Sequence, residues 1–274
     1  MNYRHTYHAG SFTDAFKHIA LIALIQSLLH KDTPFCYLET HAGIGSYDLL
    51  SVTAQKTKEF EMGVKKIFTA TNPPALIQDY LSCIKKLNPD EALRHYPGSP
   101  YFAQHFMRPD DRAVLSELHP DDAHTLKRFF ARDKQISVHA QDGYQSLVAF
   151  LPPKERRGLV LIDPPYEKPD ELMSLPRILA QTIKRWDTGI YAVWFPIKNR
   201  LQIDRFYREL KTKISRPMLF SELCIYPEDV AQQLNGCGMV IINPPWQLDL
   251  RLKEILPWLW KTLSVDKQGH FRVE

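Results

Sequence analysis

Cysteine is scarce in this chain, and the few present are not placed to work together. Four occur among 274 residues, Cys36, Cys83, Cys224 and Cys237, with no CxxC pair. That argues against a zinc site and against a disulfide framework. Cys36 falls in an apolar strand pattern and Cys83 in a helical one, so both are expected to be small buried hydrophobes. Long hydrophobic runs are also missing. The longest, Ile19 to Ile25, is far too short to span a bilayer. Met1 to Asp14 is polar and His-rich, so no charged-then-apolar leader is read there. No internal repeat or low-complexity tract is visible. A cytoplasmic protein without membrane contact is the expectation.

What is present describes a globular chain. Apolar residues make up 44% and charged residues 24%, the proportions of a soluble domain. The length is ample for a large core, and one domain over residues 1–274 carrying an insertion is expected rather than two equal domains. A net charge of +4 is mildly basic, compatible with a polyanionic partner without establishing one.

The stretch Leu159-Val160-Leu161-Ile162-Asp163-Pro164-Pro165-Tyr166 organises the reading. Four apolar residues bounded by Gly158 and two prolines read as a buried strand with an abrupt end. The prolines hold the following chain stiff and extended. Asp163 and Tyr166 are thereby presented at the carboxyl end of a central strand, where open α/β sheets bind ligands. Amine methylation suits this arrangement. The lone pair of an exocyclic base amine is delocalised into its ring, and a carboxylate plus a rigid carbonyl, Asp163 and Pro164, can accept its two hydrogens. The ring of Tyr166 can stack on the base. An ordinary strand-to-loop turn is the bland alternative.

Around this strand the chain alternates helices and strands. Asn2 to Phe12 is an aromatic, His- and Arg-containing surface tail, able to stack on bases or simply to pack across a groove. Thr13 to Leu29 reads as a helix capped by Thr13, with Phe16, Ile19, Ala20, Ala23 and Leu24 as its apolar stripe. His18 beside that stripe reads by itself as a structural residue. Phe35 to Leu38 is a strand entering the turn Gly43-Ile44-Gly45, where backbone N–H groups can meet a nucleotide-type ligand. The turn lacks the third Gly of the dinucleotide fingerprint and no GK[ST] follows, so neither NAD nor ATP is indicated. Residues 54–94 interrupt the rhythm as a helical insertion rich in lysine (Lys56, Lys58, Lys65, Lys66, Lys85, Lys86), either a solvated face or an RNA-facing patch. Ser99 is expected to cap a helix starting at Pro100. Strands then end in Glu117, at Asp142-Gly143, and at Asp163, and further strands cover Ile190–Phe195, Met218–Ile225 and Met239–Asn243. A mostly parallel, Rossmann-like sheet of seven strands with helices on both faces follows.

The acids at successive strand ends form a constellation. In a doubly wound sheet these ends share one edge. Glu117 suits the two hydroxyls of a ribose, Asp142 an adenine amine, and the Gly turn leaves room between them. That is an S-adenosyl-L-methionine pocket with Asp163 where the methyl would emerge. Asn243-Pro244-Pro245-Trp246 repeats the shape of the catalytic tetrapeptide. Its position late in the chain marks it as a structural turn or a substrate-side loop.

At these residues the chain resembles the RlmJ family of 23S ribosomal RNA adenine-N6 methyltransferases. The resemblance rests on Tyr3-Arg4-His5, His8-Ala9-Gly10, Asp14, Lys17-His18, Thr40-His41-Ala42-Gly43, Tyr96-Pro97-Gly98-Ser99-Pro100, Glu117-Leu118-His119-Pro120, Asp163-Pro164-Pro165-Tyr166-Glu167 and Asn243-Pro244-Pro245-Trp246. It runs nearly end to end. It implies a class I methyltransferase fold with a helical insertion, S-adenosyl-L-methionine as donor, and one adenine of 23S ribosomal RNA as substrate, in naked RNA or an early assembly intermediate, with a monomeric enzyme. Carried over by motif, His18, His41, Gly43, Ser99, Glu117, Asp142, Gly143 and Asp163 contact the donor. Asp163 is then the catalytic acceptor, with Pro164 and Tyr166 beside it. Tyr3 and Arg4, together with Tyr166, lie at the substrate. The family strand usually reads Asp-Thr-His-Ala-Gly, and Glu39 here is one methylene longer. Two rivals remain. A DNA adenine or cytosine methyltransferase uses the same tetrapeptide, although no second domain for reading duplex sequence is visible. A non-catalytic RNA-binding module would tolerate loss of the donor-side residues, which are all present.

Overall fold

The first helix decides how the rest is packed. In the structure, a computed structural model that describes residues 4–90, 92–227, 230 and 234–274, α1 (Phe12–Leu29) is capped by Ser11, whose side chain accepts from the Asp14 N–H. Thr13, expected as the cap, is the second residue of α1 and hydrogen-bonds Ser11 through its hydroxyl at 2.8 Å. Gly10 (φ +76°) turns the tail back just before this point, which moves the start upstream. The expected stripe is only part of what α1 buries: Leu21, Ile22 and Ile25 are as enclosed as Phe16 and Ile19. A helix apolar all round is a buried helix. By length and composition α1 could cross a membrane. Here it lies inside the protein, between the sheet and other helices.

After α1 come β1 (Cys36–Glu39), β2 (Ser46–Asp48), α2 (Val52–Thr57), α3 (Val64–Thr69), α4 (Ala75–Leu87), β3 (His95–Pro97) and α5 (Ser99–Phe106). The βα rhythm then runs through β4 (Arg112–Glu117), α6 (Pro120–Phe129), β5 (Ile136–Ala140), α7 (Gly143–Phe150), β6 (Gly158–Ile162), α8 (Glu171–Arg185), β7 (Ile190–Ile197) and α9 (Arg200–Lys213). The chain closes with β8 (Met218–Cys224), β9 (Gly236–Ile242), α10 (Leu248–Leu263) and β10 (His270–Val273). The insertion leaves and re-enters through the antiparallel ribbon β2–β3. Its buried Phe60, Val64, Ile77 and Tyr80 share one core with α1 and α10.

The main sheet has the order β10-β8-β9-β7-β6-β1-β4-β5. It has eight strands where seven were expected. The extra one is β10, His-Phe-Arg-Val, too short and too polar to announce itself, paired antiparallel to β8 and packed against α10 through Phe271 and Trp260. β5, β4, β1, β6 and β7 run parallel. Both faces are covered, as a parallel sheet requires. Alternation along β6 sends Leu159 and Leu161 into the core of α1 and α10, and Val160 and Ile162 into that of α8 and α9. All four cysteines are free and buried.

β9 runs antiparallel to β7, with Ile242 opposite Tyr191 at the start of that strand. Asn243-Pro244-Pro245-Trp246 therefore lies at the edge of the sheet opposite Asp163. Of the two readings offered for it, the structural turn holds and the substrate-side loop does not, because strand direction decides the edge. Asn243 (φ +56°) donates through its side-chain amide to the carbonyls of Asp187 and Gly189, at 2.9 and 2.8 Å. Asn243→Ala should therefore lower folding stability by about 1–3 kcal/mol in chemical denaturation, since the side-chain bonds are lost and the left-handed backbone remains. An unchanged unfolding midpoint would show that Asn243 does not hold this turn.

Candidate active site

Where β6 ends, the chain leaves the sheet as Asp163-Pro164-Pro165-Tyr166, and α1 crosses directly beneath. Lys17, buried in the middle of α1, places its ammonium 2.5 Å from Asp163 Oδ2 and 2.9 Å from Asp14 Oδ1. Asp14 Oδ2 in turn accepts from the Gly10 N–H at 3.0 Å and lies 2.9 Å from His5 Nε2. One buried cation thus ties the tail, the first helix and the end of the central strand together. Burial opposes its charge, but Asp14 and Asp163 together hold Lys17 well above the usual lysine range. Burial likewise works against the Asp14 charge, and His5 and Lys17 overcome it and keep the carboxyl well below the ordinary value. Lys17 is consequently a fixed ammonium and not a base. The sequence reading quoted Lys17 only within a matching motif. A buried lysine on an apolar helix face is the signal that pointed to it, since such a charge has to be paired.

Above this network opens a cleft of about 1140 Å³, counting the space open to solvent, which runs the length of the strand ends. His18, His41, Gly43, Ser99, Glu117, Asp163, Pro164 and Tyr166 all line it. At one end the Glu117 carboxylate accepts from the Gly43 N–H (2.9 Å) and the His119 N–H (2.8 Å). Two backbone donors fix the carboxylate and leave lone pairs for hydroxyl hydrogens. Burial raises its pKa, against those same two N–H groups. Gly43 has φ +65°, and a Cβ there would lie 2.2 Å from the Tyr47 hydroxyl. The turn needs glycine both for its backbone angle and for space.

In the middle, His18 Nδ1 is 2.8 Å from the Tyr96 hydroxyl, while its buried Nε2 has no hydrogen-bond partner among the described residues. Burial, with Lys17 nearby, keeps this imidazole well below its ordinary value and so neutral. An orphaned ring nitrogen on a cleft wall is a place for a polar ligand atom. Ser99 is the first residue of α5 rather than its cap, which is Gly98. Its hydroxyl donates instead to the buried Glu39, which also accepts from Tyr37 at 2.8 Å. Glu39 stands behind Ser99 and does not line the cleft. Burial pushes its pKa up to about 8, against the two hydroxyl donors.

At the far end Tyr166, held at φ +52°, donates its hydroxyl to the Trp194 carbonyl, and the two rings lie 5.8 Å apart. With Pro165 and Pro196 they form an aromatic wall suited to a flat base. His5 and His8 of the tail also line the cleft, His5 with its ring 5.0 Å from that of Tyr47 and His8 with its Nδ1 2.9 Å from Glu59 of the insertion.

Three sequence-predicted residues are placed elsewhere. Asp142 caps α7, accepting from the Tyr144 and Gln145 N–H groups at 2.9 and 3.0 Å, and Gly143 packs against the Thr40 carbonyl. Both stand at the next strand end, outside the cleft lining. Arg4 is turned towards α6, 2.6 Å from Asp122 and 3.9 Å from Asp121. Tyr3 lies outside the described residues.

The donor set fits S-adenosyl-L-methionine. A paired-acceptor carboxylate suits a ribose, the glycine turn leaves room, and the orphaned His18 nitrogen with the nearby Ser99 suits a small zwitterionic end.

Comparison with known proteins gives the same direction. A family model described as "Ribosomal RNA large subunit methyltransferase D, RlmJ" matches residues 32–274. Two curated proteins named "Ribosomal RNA large subunit methyltransferase J" are similar over the whole chain. The one from Haemophilus influenzae is 42% identical and the one from Escherichia coli K12 is 41% identical, each covering 100% of this chain and 98% of the relative. The crystal structure of protein LPL1258 from Legionella pneumophila is 37% identical, covers 97% of this chain and 98% of that one, and superposes with a TM-score of 0.90.

Two outcomes follow from the site. Lys17→Met strands the buried Asp14 beside the half-buried Asp163 with no cation between them, and should cost about 3–5 kcal/mol of folding stability. Adding Asp14→Asn should recover part of that loss in a double-mutant cycle, and strictly additive effects would show that Lys17 and Asp14 are not coupled. His41 is lowered by burial from 6.5 to about 4. Between those values the unfolded chain binds a proton and the folded one does not, so stability falls as pH drops from about 6.5 to about 4. His41→Gln should flatten that fall in denaturation series at each pH, and an unaltered slope would remove His41 as its source.

Proposed function

The chain belongs to the RlmJ family of ribosomal RNA large subunit methyltransferases, and on that premise we propose that it moves a methyl group from S-adenosyl-L-methionine to the N6 amine of one adenine in 23S ribosomal RNA. The supporting observation is a single cleft that gathers Asp163, Pro164 and Tyr166 with Glu117, Gly43, Ser99 and His18 on one edge of the sheet. The class I methyltransferase fold agrees with it. In this reading naked 23S RNA or an early assembly intermediate is the substrate, acted on in the cytoplasm by a monomer.

S-adenosyl-L-methionine supplies an activated methyl group on a sulfonium. The chain supplies the rest. Glu117 holds the ribose, while His18, His41 and Ser99 hold the polar end of the donor. Tyr166 packs on the target base. Lys17 occupies Asp163 Oδ2, which leaves Oδ1 and the Pro164 carbonyl to accept the two amine hydrogens and free the lone pair for attack. Once methylated, the nitrogen carries a positive charge, is strongly acidic and sheds a proton, and the Asp163 carboxylate stands where that proton can be received. Lys17, already protonated, positions Asp163 and takes no proton itself.

The direct test incubates the protein with methyl-labelled S-adenosyl-L-methionine and 23S RNA or DNA, then digests the product to nucleosides. Label in N6-methyladenosine from RNA is expected. Label only in DNA, or only in another nucleoside, would overturn the proposal. Asp163→Ala should slow transfer by about a hundredfold or more while donor affinity stays near wild type. Glu117→Ala should instead weaken donor binding first. Near-normal turnover in the Asp163 variant would exclude it as the acceptor, and unchanged calorimetric affinity would take Glu117 out of the donor pocket.

A further inference from the structure

The aromatic end of the cleft is closed by two loops that do not stop there. The chain after Tyr166 and the chain after Lys198 both continue outward. Pro169, Asp170 and Met173 from the first, with Asn199, Leu201, Gln202 and Arg205 from the second, line another groove beside the cleft, one acid and one arginine among them. Lys198 lines the cleft itself and is the residue before Asn199, so the two depressions meet along the chain.

The charge of the protein is concentrated at this place. Residues 198–213 contain six lysines and arginines against two acids, a net +4 that equals the excess of the whole chain. Three of the six have partners. Arg200 pairs with Glu222 and Asp204, Lys213 with Glu209, and Lys211 lies over the Phe220 ring. Lys198, Arg205 and Arg208 are exposed and have no hydrogen bond or ion pair among the described residues. Helical spacing puts Leu201, Gln202, Arg205 and Arg208 on one outer face of α9. Leu201 is 78% exposed at the groove, and Asn199 and Gln202 add amide groups beside it. Unpaired cations flanking an apolar and amide-lined floor match a nucleotide strand, with phosphate on the arginines and a base against Leu201 and Met173. The lysines of the insertion stand apart from both depressions: Lys65 pairs with Glu61, and none of the six lines either one, as Lys198 and Arg205 do.

We propose that this groove between the catalytic loop and α9 is the track for the RNA strand adjoining the target adenosine, with Arg205 in the groove and Arg208, one turn further along the same face of α9, as phosphate contacts. The proposal rests on the RNA reading above. It assigns the RNA-binding face to α9 rather than to the lysine-rich insertion.

The test compares Arg205→Ala/Arg208→Ala with Lys65→Ala/Lys66→Ala, using a 23S RNA fragment that wild type methylates. All four side chains lie at the surface, and donor titration by calorimetry checks that each variant keeps its fold. The arginine pair should bind the fragment about tenfold more weakly near 0.15 M salt, and the slope of log affinity against log salt should shrink by about two. Arg205→Lys/Arg208→Lys should keep most of that slope, because phosphate contact needs the charge. RNA affinity and slope equal to wild type in the alanine pair would overturn the groove while leaving the methyltransferase reading standing. So would a loss confined to the lysine variant. Wild-type protein that neither binds nor methylates RNA would overturn both.

Discussion

A buried ammonium cannot remain in a protein without acids to answer it, and the arrangement of this site follows from how Lys17 is answered. Removing the charge from water is costly, and it is recovered only when the partners are close and their remaining valences are filled. Lys17 reaches Asp14 on its own helix and Asp163 at the end of the central strand. Asp14 is completed by His5 and by a backbone N–H of the tail. The tail and the first helix are therefore fixed by one charge to a strand end 146 residues further on. The helix cannot slide or rotate without stranding it. Asp163, the acid on which the proposed chemistry depends, is oriented from below with one oxygen left towards the cleft.

That arrangement is possible because α1 is enclosed on all sides. An ordinary amphipathic helix would have turned Lys17 to solvent. Here the sheet, the insertion and α10 surround α1, so its buried ionisable residues, Asp14, Lys17 and His18, are answered within the protein or at the cleft rather than by solvent. The orphaned nitrogen of His18 and the carboxylate of Asp163 come from the same crowded contact. The aromatic wall of Tyr166 and Trp194 is set on the other side of Asp163 by the stiff Pro-Pro segment.

The chain also carries a control on its own motif. Asp163-Pro-Pro-Tyr and Asn243-Pro-Pro-Trp follow apolar strands of the same kind. β6 runs with its neighbours and delivers Asp163 to the edge where Glu117 and the glycine turn lie. β9 runs against β7 and delivers Asn243 to the opposite edge, where its amide closes a turn on two carbonyls. Chemical competence is equal, and position alone separates them.

The fold was largely written in the sequence, because each signal was local. Apolar runs ending in Glu117 and Asp163, glycines at the first turn and the apolar stripe of α1 are short-range patterns, and with the alternation of strands and helices they led to the mostly parallel sheet and the shared edge. Short β10 and the ribbon β2–β3 were not legible, since pairing partners far along the chain create them. The same limit applied within the site. His18, Ser99, Glu117 and Asp163 could be named from motifs, yet not that Ser99 is held by Glu39 or that Asp142 spends its carboxylate on a helix cap. By itself the sequence determined which acids and glycines stand at strand ends, because a strand ends where its own residues end it. Only the tertiary structure decided that Lys17 answers Asp163, that Asn243 faces away, and that Arg205 stands in a groove beside the cleft, because burial, strand direction and the meeting of distant loops depend on neighbours the local chain does not contain.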